Sequence, residues 1–198
     1  MSSPSFISYF GYGSLVNLAT LRTKYLSAHP AVLQGWRRVW LARPAHAHSF
    51  GTDVDLAFLS VERMQTSKIN GMVIVDHAAN LDALDRREVL YERLEISTDE
   101  VTLEQPESSV FGDMHYLYIA QDDGEKSQHL HILRSYLDAV LQGFFDHWGE
   151  PGIADFKSTT RNCHFAILED RDQPIYPRHV TLNAAARHAV EQHFPVKR

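Results

Sequence analysis

The chain has 198 residues, 44% of them hydrophobic and 22% charged, with a formal net charge of -6. That is ordinary globular usage for one domain, or one domain with an extension, and a net acidic chain lacks the field that gathers nucleic acid or anionic lipid. The single cysteine, Cys163, excludes an intrachain disulfide framework and a thiolate zinc site, and fits a reducing, cytoplasmic setting.

Met1 to Phe10 carries no Lys or Arg, which argues against a signal peptide. No stretch approaches the roughly 18 apolar residues of a membrane span. Phe6 to Phe10 is aromatic and β-branched and predicts a buried strand. Gly11-Tyr12-Gly13-Ser14-Leu15 then predicts a tight turn or a close backbone approach, with a short helix over Asn17 to Tyr25. Val32 to Pro44, Leu56 to Val61 and Ile69 to Val75 predict three strands, the last begun or bulged at Asn70-Gly71. Asp76 to Leu90 predicts a helix capped by Asn80. Tyr91 to Ile96, Val101 to Gln105 and Val110 to Ala120 return to strand character.

The strongest helical pattern follows. Leu130, Leu133, Leu137, Val140, Leu141, Phe144 and Trp148 repeat at three and four, and Gly149 and Pro151 end the pattern. Asp155 to Cys163 is less regular, and Thr181 to Phe194 predicts a last helix capped by Thr181 or Asn183. Strands followed by helices mean α+β rather than alternating α/β. The expected architecture is a small mixed, barrel-like sheet with flanking helices and a helical C-terminal extension.

One residue breaks the pattern. In the Asp76 helix the apolar stripe runs Leu81, Leu84, Glu88, Tyr91, so a carboxylate takes a core-facing position. An ionised carboxylate is costly to bury without partners. Glu88 could sit at the helix end and pair with Arg87, Arg93 or a distant arginine. Alternatively it could line a pocket as a general acid/base, its pKa drawn from about 4.3 toward neutrality by desolvation. The turn at Gly11 to Ser14, between strand and helix, can aim backbone N–H groups at an anion. It matches neither the dinucleotide fingerprint nor the nucleotide-phosphate loop.

Together these features resemble a known family. Tyr9-Phe10-Gly11-Tyr12-Gly13-Ser14-Leu15 is similar to the glycine-rich Tyr-Gly-Ser signature of the γ-glutamylcyclotransferase-like family. Gly71-Met72-Val73-Ile74-Val75, Leu81 and Leu84-Asp85-Arg86-Arg87-Glu88 resemble its second block, in which a strand opening with Gly leads to a Leu-Asp-x-x-Glu run. The resemblance covers roughly residues 6 to 120. It implies a domain over residues 1–120 and, over 121–198, a C-terminal extension of the kind some bacterial members carry, packed on that domain. Two positions depart from the family's pattern: Val89 stands where Gly often follows the Glu, and Leu15 replaces the common Asn.

The reaction implied is intramolecular aminolysis of a γ-glutamyl group, giving 5-oxoproline and a released amine, amino acid or peptide. The resemblance implies Glu88 as the catalytic acid/base and no metal or organic cofactor. Substrate binding then falls to Gly11, Tyr12, Gly13, Ser14 and Leu15, with the hydroxyl of Tyr118, or of Tyr116 on the same strand face, lining the pocket. The partner is a small γ-glutamyl compound, not nucleic acid or membrane. Two rivals stay open: a non-catalytic metabolite-binding module on the same fold, and a lyase specific for a γ-glutamylamine.

The remaining candidates read as structural. His46, His48, His129 and His131 form two H-x-H pairs without a third ligand at zinc-like spacing, and read as surface histidines. Cys163 reads as a small buried hydrophobe. Asp170-Arg171-Asp172 reads as a solvated turn, Tyr176-Pro177-Arg178 as a chain bend, and Arg37-Arg38 as too short for a nucleic-acid patch.

Overall fold

The computed structural model describes residues 5–21, 24–42, 52, 54–105, 114–120 and 129–196. The aromatic, β-branched run after Ser5 forms β1 (Phe6–Gly11), buried from Ile7 onward. Its neighbours are β3 (Ala57–His77), antiparallel, and β6 (Met114–Ile119), parallel. β2 (Ser27–Ala42) pairs with β3, β4 (Glu92–Glu95) borders β6, and β5 (Val101–Leu103) borders β2. The sheet order is β4-β6-β1-β3-β2-β5, with β8 (Thr160–Arg161) added beside β2. This is the expected mixed sheet, but it ends on β4 and β5 and is not closed into a barrel.

β3 unites the two strands expected at Leu56 to Val61 and Ile69 to Val75. Residues 68–75 pair with 27–34, and 57–63 with 36–42, and the register shifts between Gln34 and Trp36. Residues 63–66, between the halves, are exposed. The polar stretch that looked like a loop between two strands is therefore an irregularity inside one, and it lies there rather than at Asn70-Gly71.

The expected short helix after β1 is a pair of 3₁₀ turns, Ser14–Val16 and Leu18–Thr20. Asn17 caps the second through Ala19 N–H and also donates to the Ala139 carbonyl at 2.9 Å, which docks it on the long helix. The expected Asp76 helix is shorter than its pattern. β3 runs to His77, a 3₁₀ turn follows, and α1 covers only Leu81–Arg87. Asn80 takes the cap position, but its side chain donates to buried Asp76 instead.

The strong helical pattern divides differently. Its start, β7 (His131–Leu133), pairs with β9 (Ala166–Leu168), so Leu130 and Leu133 precede the helix and His131 lies in a strand. α2 (Arg134–Ser158) carries Leu137, Val140, Leu141 and Phe144 fully buried against the sheet. Gly149, at φ 63°, breaks it without ending it. Pro151 then sits in the first turn of the resumed helix, where its missing N–H costs nothing. α3 (Ala184–His193) is capped by Asn183, which accepts from Ala186 N–H at 2.8 Å.

Cys163 is half-buried and free, its thiol pushed up by burial. Among the described residues no helix is long and apolar enough to cross a membrane, and no group of three metal-ligating side chains gathers. His46, His48, Asp53 and the start of the Val110 strand lie outside the described residues.

Candidate active site

The turn after β1 is fixed from behind. Tyr12 buries its ring and donates its hydroxyl to the Tyr118 carbonyl at 2.6 Å. Arg38, fully buried in β2, donates Nε to the Tyr12 carbonyl at 2.9 Å, Nη1 to Thr159 and Nη2 to the Asn70 carbonyl. Its guanidinium lies over Phe144 and Phe156, 4.7 and 5.0 Å from the ring centroids. Burial pulls its pKa down to about 9, still above neutrality, so it remains a cation at pH 7. Of the arginine pair read from sequence, Arg38 thus braces the turn, while Arg37 pairs with Glu62.

The turn's carbonyls are occupied. The Gly13 oxygen accepts from Val16 N–H and the Ser14 oxygen from the Thr20 hydroxyl at 2.7 Å. The N–H groups that open such a turn, at Ser14 and Leu15, have no acceptor inside it. Gly13 passes close to its neighbours: a Cβ there would stand 3.0 Å from Tyr136 Oη and 3.1 Å from Leu59. Gly11 and buried Leu15 complete the turn's packing.

Glu88 follows α1 directly. Its N–H still bonds the Leu84 carbonyl at 3.0 Å, so the helical register that turned it inward persists one residue past the helix. Its Oε1 accepts from Arg87 Nε at 2.8 Å, and Arg87 also donates to the Thr20 carbonyl at 3.1 Å. The pairing alternative and the pocket alternative therefore hold together: Glu88 is bound to Arg87 and also lines a cavity. Val89 beside it is exposed, and its φ is not positive, so the chain leaves the helix without needing Gly there.

That cavity measures about 230 Å³. Ser14 and the Arg87 to Tyr91 segment form one side. Tyr136 of α2 and the segment Tyr176-Pro177-Arg178 form another, with Leu56 to Leu59 of the sheet between them. Tyr136 stacks edge-on against Trp40 and Tyr176, centroids 5.9 and 5.0 Å away. Tyr91 donates its hydroxyl to the Leu59 carbonyl at 3.0 Å. Burial, and then neighbours that include Glu88, push the Tyr12, Tyr91 and Tyr136 hydroxyls well above the usual phenol range. They are protonated at neutral pH; Tyr12 and Tyr91 give their protons to the Tyr118 and Leu59 carbonyls, which leaves Tyr136 to donate into the cavity it lines.

Of the residues singled out in the sequence, Ser14 and Glu88 share this cavity. Gly11, Tyr12, Gly13 and Leu15 build the turn that presents Ser14. Tyr116 and Tyr118 do share a strand face, but at the Asp85–Arg93 ion pair rather than among the cavity-lining residues. Tyr118 donates its hydroxyl to Asp85 at 2.6 Å, and Arg93 lies 4.9 Å from the Tyr116 ring centroid.

Two sequence expectations need correction. Asp170-Arg171-Asp172 is not simply a solvated turn. Asp170 is buried and accepts from Ser135 N–H at 2.7 Å, the Ser135 hydroxyl at 2.5 Å and Ile175 N–H at 2.8 Å. Ser135 Oγ in turn accepts from Tyr176 N–H at 3.1 Å. Arg171 forks onto Asp138 and reaches Glu191. The supposed chain bend at Tyr176-Pro177-Arg178 is thereby clamped to the start of α2 and becomes a cavity wall. No residue spacing signalled this, because the clamp joins residues 35 and 41 positions apart.

No family model matches the chain, and no curated protein matches it in sequence. Solved structures do. A gamma-glutamyl cyclotransferase is 15% identical with a TM-score of 0.55, covering 94% of this chain and 99% of its own. An uncharacterized protein from Homo sapiens is 14% identical with a TM-score of 0.54 and the same coverage. This chain therefore has the fold of a gamma-glutamyl cyclotransferase, over nearly its whole length.

Proposed function

We propose that this protein is a γ-glutamylcyclotransferase-like enzyme that cyclises a γ-glutamyl group to 5-oxoproline and releases an amine, amino acid or peptide. The observation that carries the proposal is the half-buried carboxylate of Glu88 in a cavity shared with the Ser14 turn. The fold and the two sequence blocks support the same assignment.

The chemistry needs few parts. The α-amine of the γ-glutamyl group attacks its own γ-carbonyl, so the nucleophile is already tethered. Held near attack, such a reaction gains an effective molarity of about 10⁵–10⁸ M. Glu88 takes the proton that the amine loses and returns it to the departing nitrogen, so one carboxylate serves both transfers. Arg87 on Oε1 fixes the carboxylate's direction. The N–H groups of the Tyr12 to Leu15 turn hold the α-carboxylate or polarise the γ-carbonyl. The Tyr136 hydroxyl donates a hydrogen bond without ionising. No cofactor enters the scheme.

In this proposal residues 1–120 supply the turn and the acid/base, and the extension over 121–198 closes the pocket around them. The reaction belongs to the cytoplasm. The test is a 5-oxoproline release assay on glutathione, γ-glutamyl dipeptides and γ-glutamylamines. Release from at least one class is expected. No release from any, with 5-oxoproline still bound, would make the protein a binding module.

A further inference from the structure

Arg178 is a cation in the cavity wall whose charge the proposed chemistry does not use. Its Nε donates to the Tyr176 hydroxyl at 3.0 Å, and its guanidinium lies 5.2 Å from that ring's centroid. This is a directed side chain, seated on an aromatic ring that is itself pinned between Tyr136 and the Ser135 clamp. Among the described residues no carboxylate lies within ion-pair distance of it. Burial pulls its pKa down, but Tyr176, Glu88 and Tyr136 outweigh that and leave it raised. Arg87 differs: its Nε is committed to Glu88 and its Nη1 to the Thr20 carbonyl, and among the described residues its buried Nη2 alone has no partner.

The cavity therefore offers two places for negative charge. One is at Ser14 and the unpartnered Nη2 of Arg87, both residues of the lining. The other is the open fork of Arg178, which suits a carboxylate's two oxygens. A γ-glutamylamine carries one carboxylate, on the glutamyl α-carbon. A γ-glutamyl amino acid or peptide carries a second, on the leaving group. The remaining lining is mostly apolar, Leu56, Phe58, Val89, Leu90 and Pro177 among it, and its neutral tyrosines carry no charge to compensate a second carboxylate. The volume of about 230 Å³ fits a compound of dipeptide size, below the range usual for drug-sized ligands.

Resting on the cyclotransferase assignment, we infer that Arg178 is a specificity-determining residue that binds the carboxylate of the leaving group, so that the substrates are γ-glutamyl amino acids or short peptides rather than γ-glutamylamines. The residue acts on binding and takes no part in proton transfer.

The experiment compares γ-glutamylalanine with γ-glutamylethylamine, which differ only by the leaving group's carboxylate. The readout is the ratio of their kcat/KM values for 5-oxoproline release by the full-length protein. Loss of one charge-assisted hydrogen-bonded contact predicts a ratio of about 10- to 100-fold in the wild type. Arg178→Gln should bring that ratio close to one, and Arg178→Lys, which keeps the charge without the fork, should retain part of it. The ratio is internal to each preparation, so partial unfolding of a variant cancels. A wild-type ratio near one, or a ratio that Arg178→Gln leaves intact, overturns the inference. If Arg178 acted only through Glu88, both substrates would slow equally and the ratio would persist. Wild-type protein that releases 5-oxoproline from neither substrate overturns the inference, and failure on glutathione as well overturns the cyclotransferase assignment itself.

Discussion

The two sides of the cavity differ in origin. One side, Ser14 and Glu88, comes from short continuous motifs: a strand running into a glycine turn, and a helix whose last inward position is a carboxylate. The other, Tyr136, Tyr176 and Arg178, comes from the start of a long helix and from an irregular segment held against it. A regular element orients its own side chains through its period. An irregular segment is oriented by whatever binds it, here the buried carboxylate of Asp170. In the proposed function the chemistry rests on the first side, and the choice of substrate is assigned to the second.

Asp170→Ala is the strongest way to break that division. It strips the Ser135 and Ile175 N–H groups of their acceptor, and leaving buried donors unpaired at this clamp should cost about 3 kcal/mol of stability. Denaturant unfolding reads that loss. Turnover per folded molecule should fall too, because Tyr176 and Arg178 lose their seat; unchanged turnover would mean that the segment is only a wall. Gly13→Val probes the opposite side. A Cβ alone would stand 3.0 Å from Tyr136 Oη and 3.1 Å from Leu59, so the branched side chain must push both aside. The expected result is about tenfold weaker 5-oxoproline binding, the lower end of overpacking costs. Affinity equal to the wild type would remove the turn from the binding site.

The smallest effect expected is at the seam between the halves, where Glu62 of β3 holds Arg37 of β2 and Arg161 of β8. Burial alone would raise the Glu62 carboxyl, but the bonds from Arg161 and Arg37 outweigh it and bring it below the ordinary value of 4.5. A lowered folded pKa means that the stability from these bonds is full above pH 4.5 and is lost as pH falls through the folded value. Glu62→Gln should therefore melt below the wild type at neutral pH, with the gap narrowing in acid. A gap that stays constant with pH would show that the charge contributes nothing there. The effect is slight because these side chains are partly exposed.

Local patterns carried much of the fold. β1 was legible from its aromatic run, and the cap of α3 from Asn183. Glu88 was legible because its helical position outlasted the helix: the bond from its N–H to Leu84 survives although α1 ends at Arg87. Where patterns misled, a longer-range partner decided the outcome. His131 to Leu133 fit a helical stripe, but β9 was present to pair with them. Gly149 and Pro151 are stop signals, yet a helix can restart at a proline. The polar residues 63–66 suggested a loop, but the pairing of β2 on both sides carried one strand across them. Arg178 had no local signal, since the clamp that places it joins Asp170 to Ser135, 35 positions earlier in the chain.

The most direct measurement is pre-steady-state 5-oxoproline release by Glu88→Gln beside the wild type, with 5-oxoproline affinity measured on both. Glutamine keeps the shape and can still accept the Arg87 bond, but it cannot carry the proton. Loss of general acid/base catalysis predicts a kcat lower by about 10³, with affinity and melting temperature close to the wild type. A variant that releases 5-oxoproline at the wild-type rate would contradict the role assigned to Glu88.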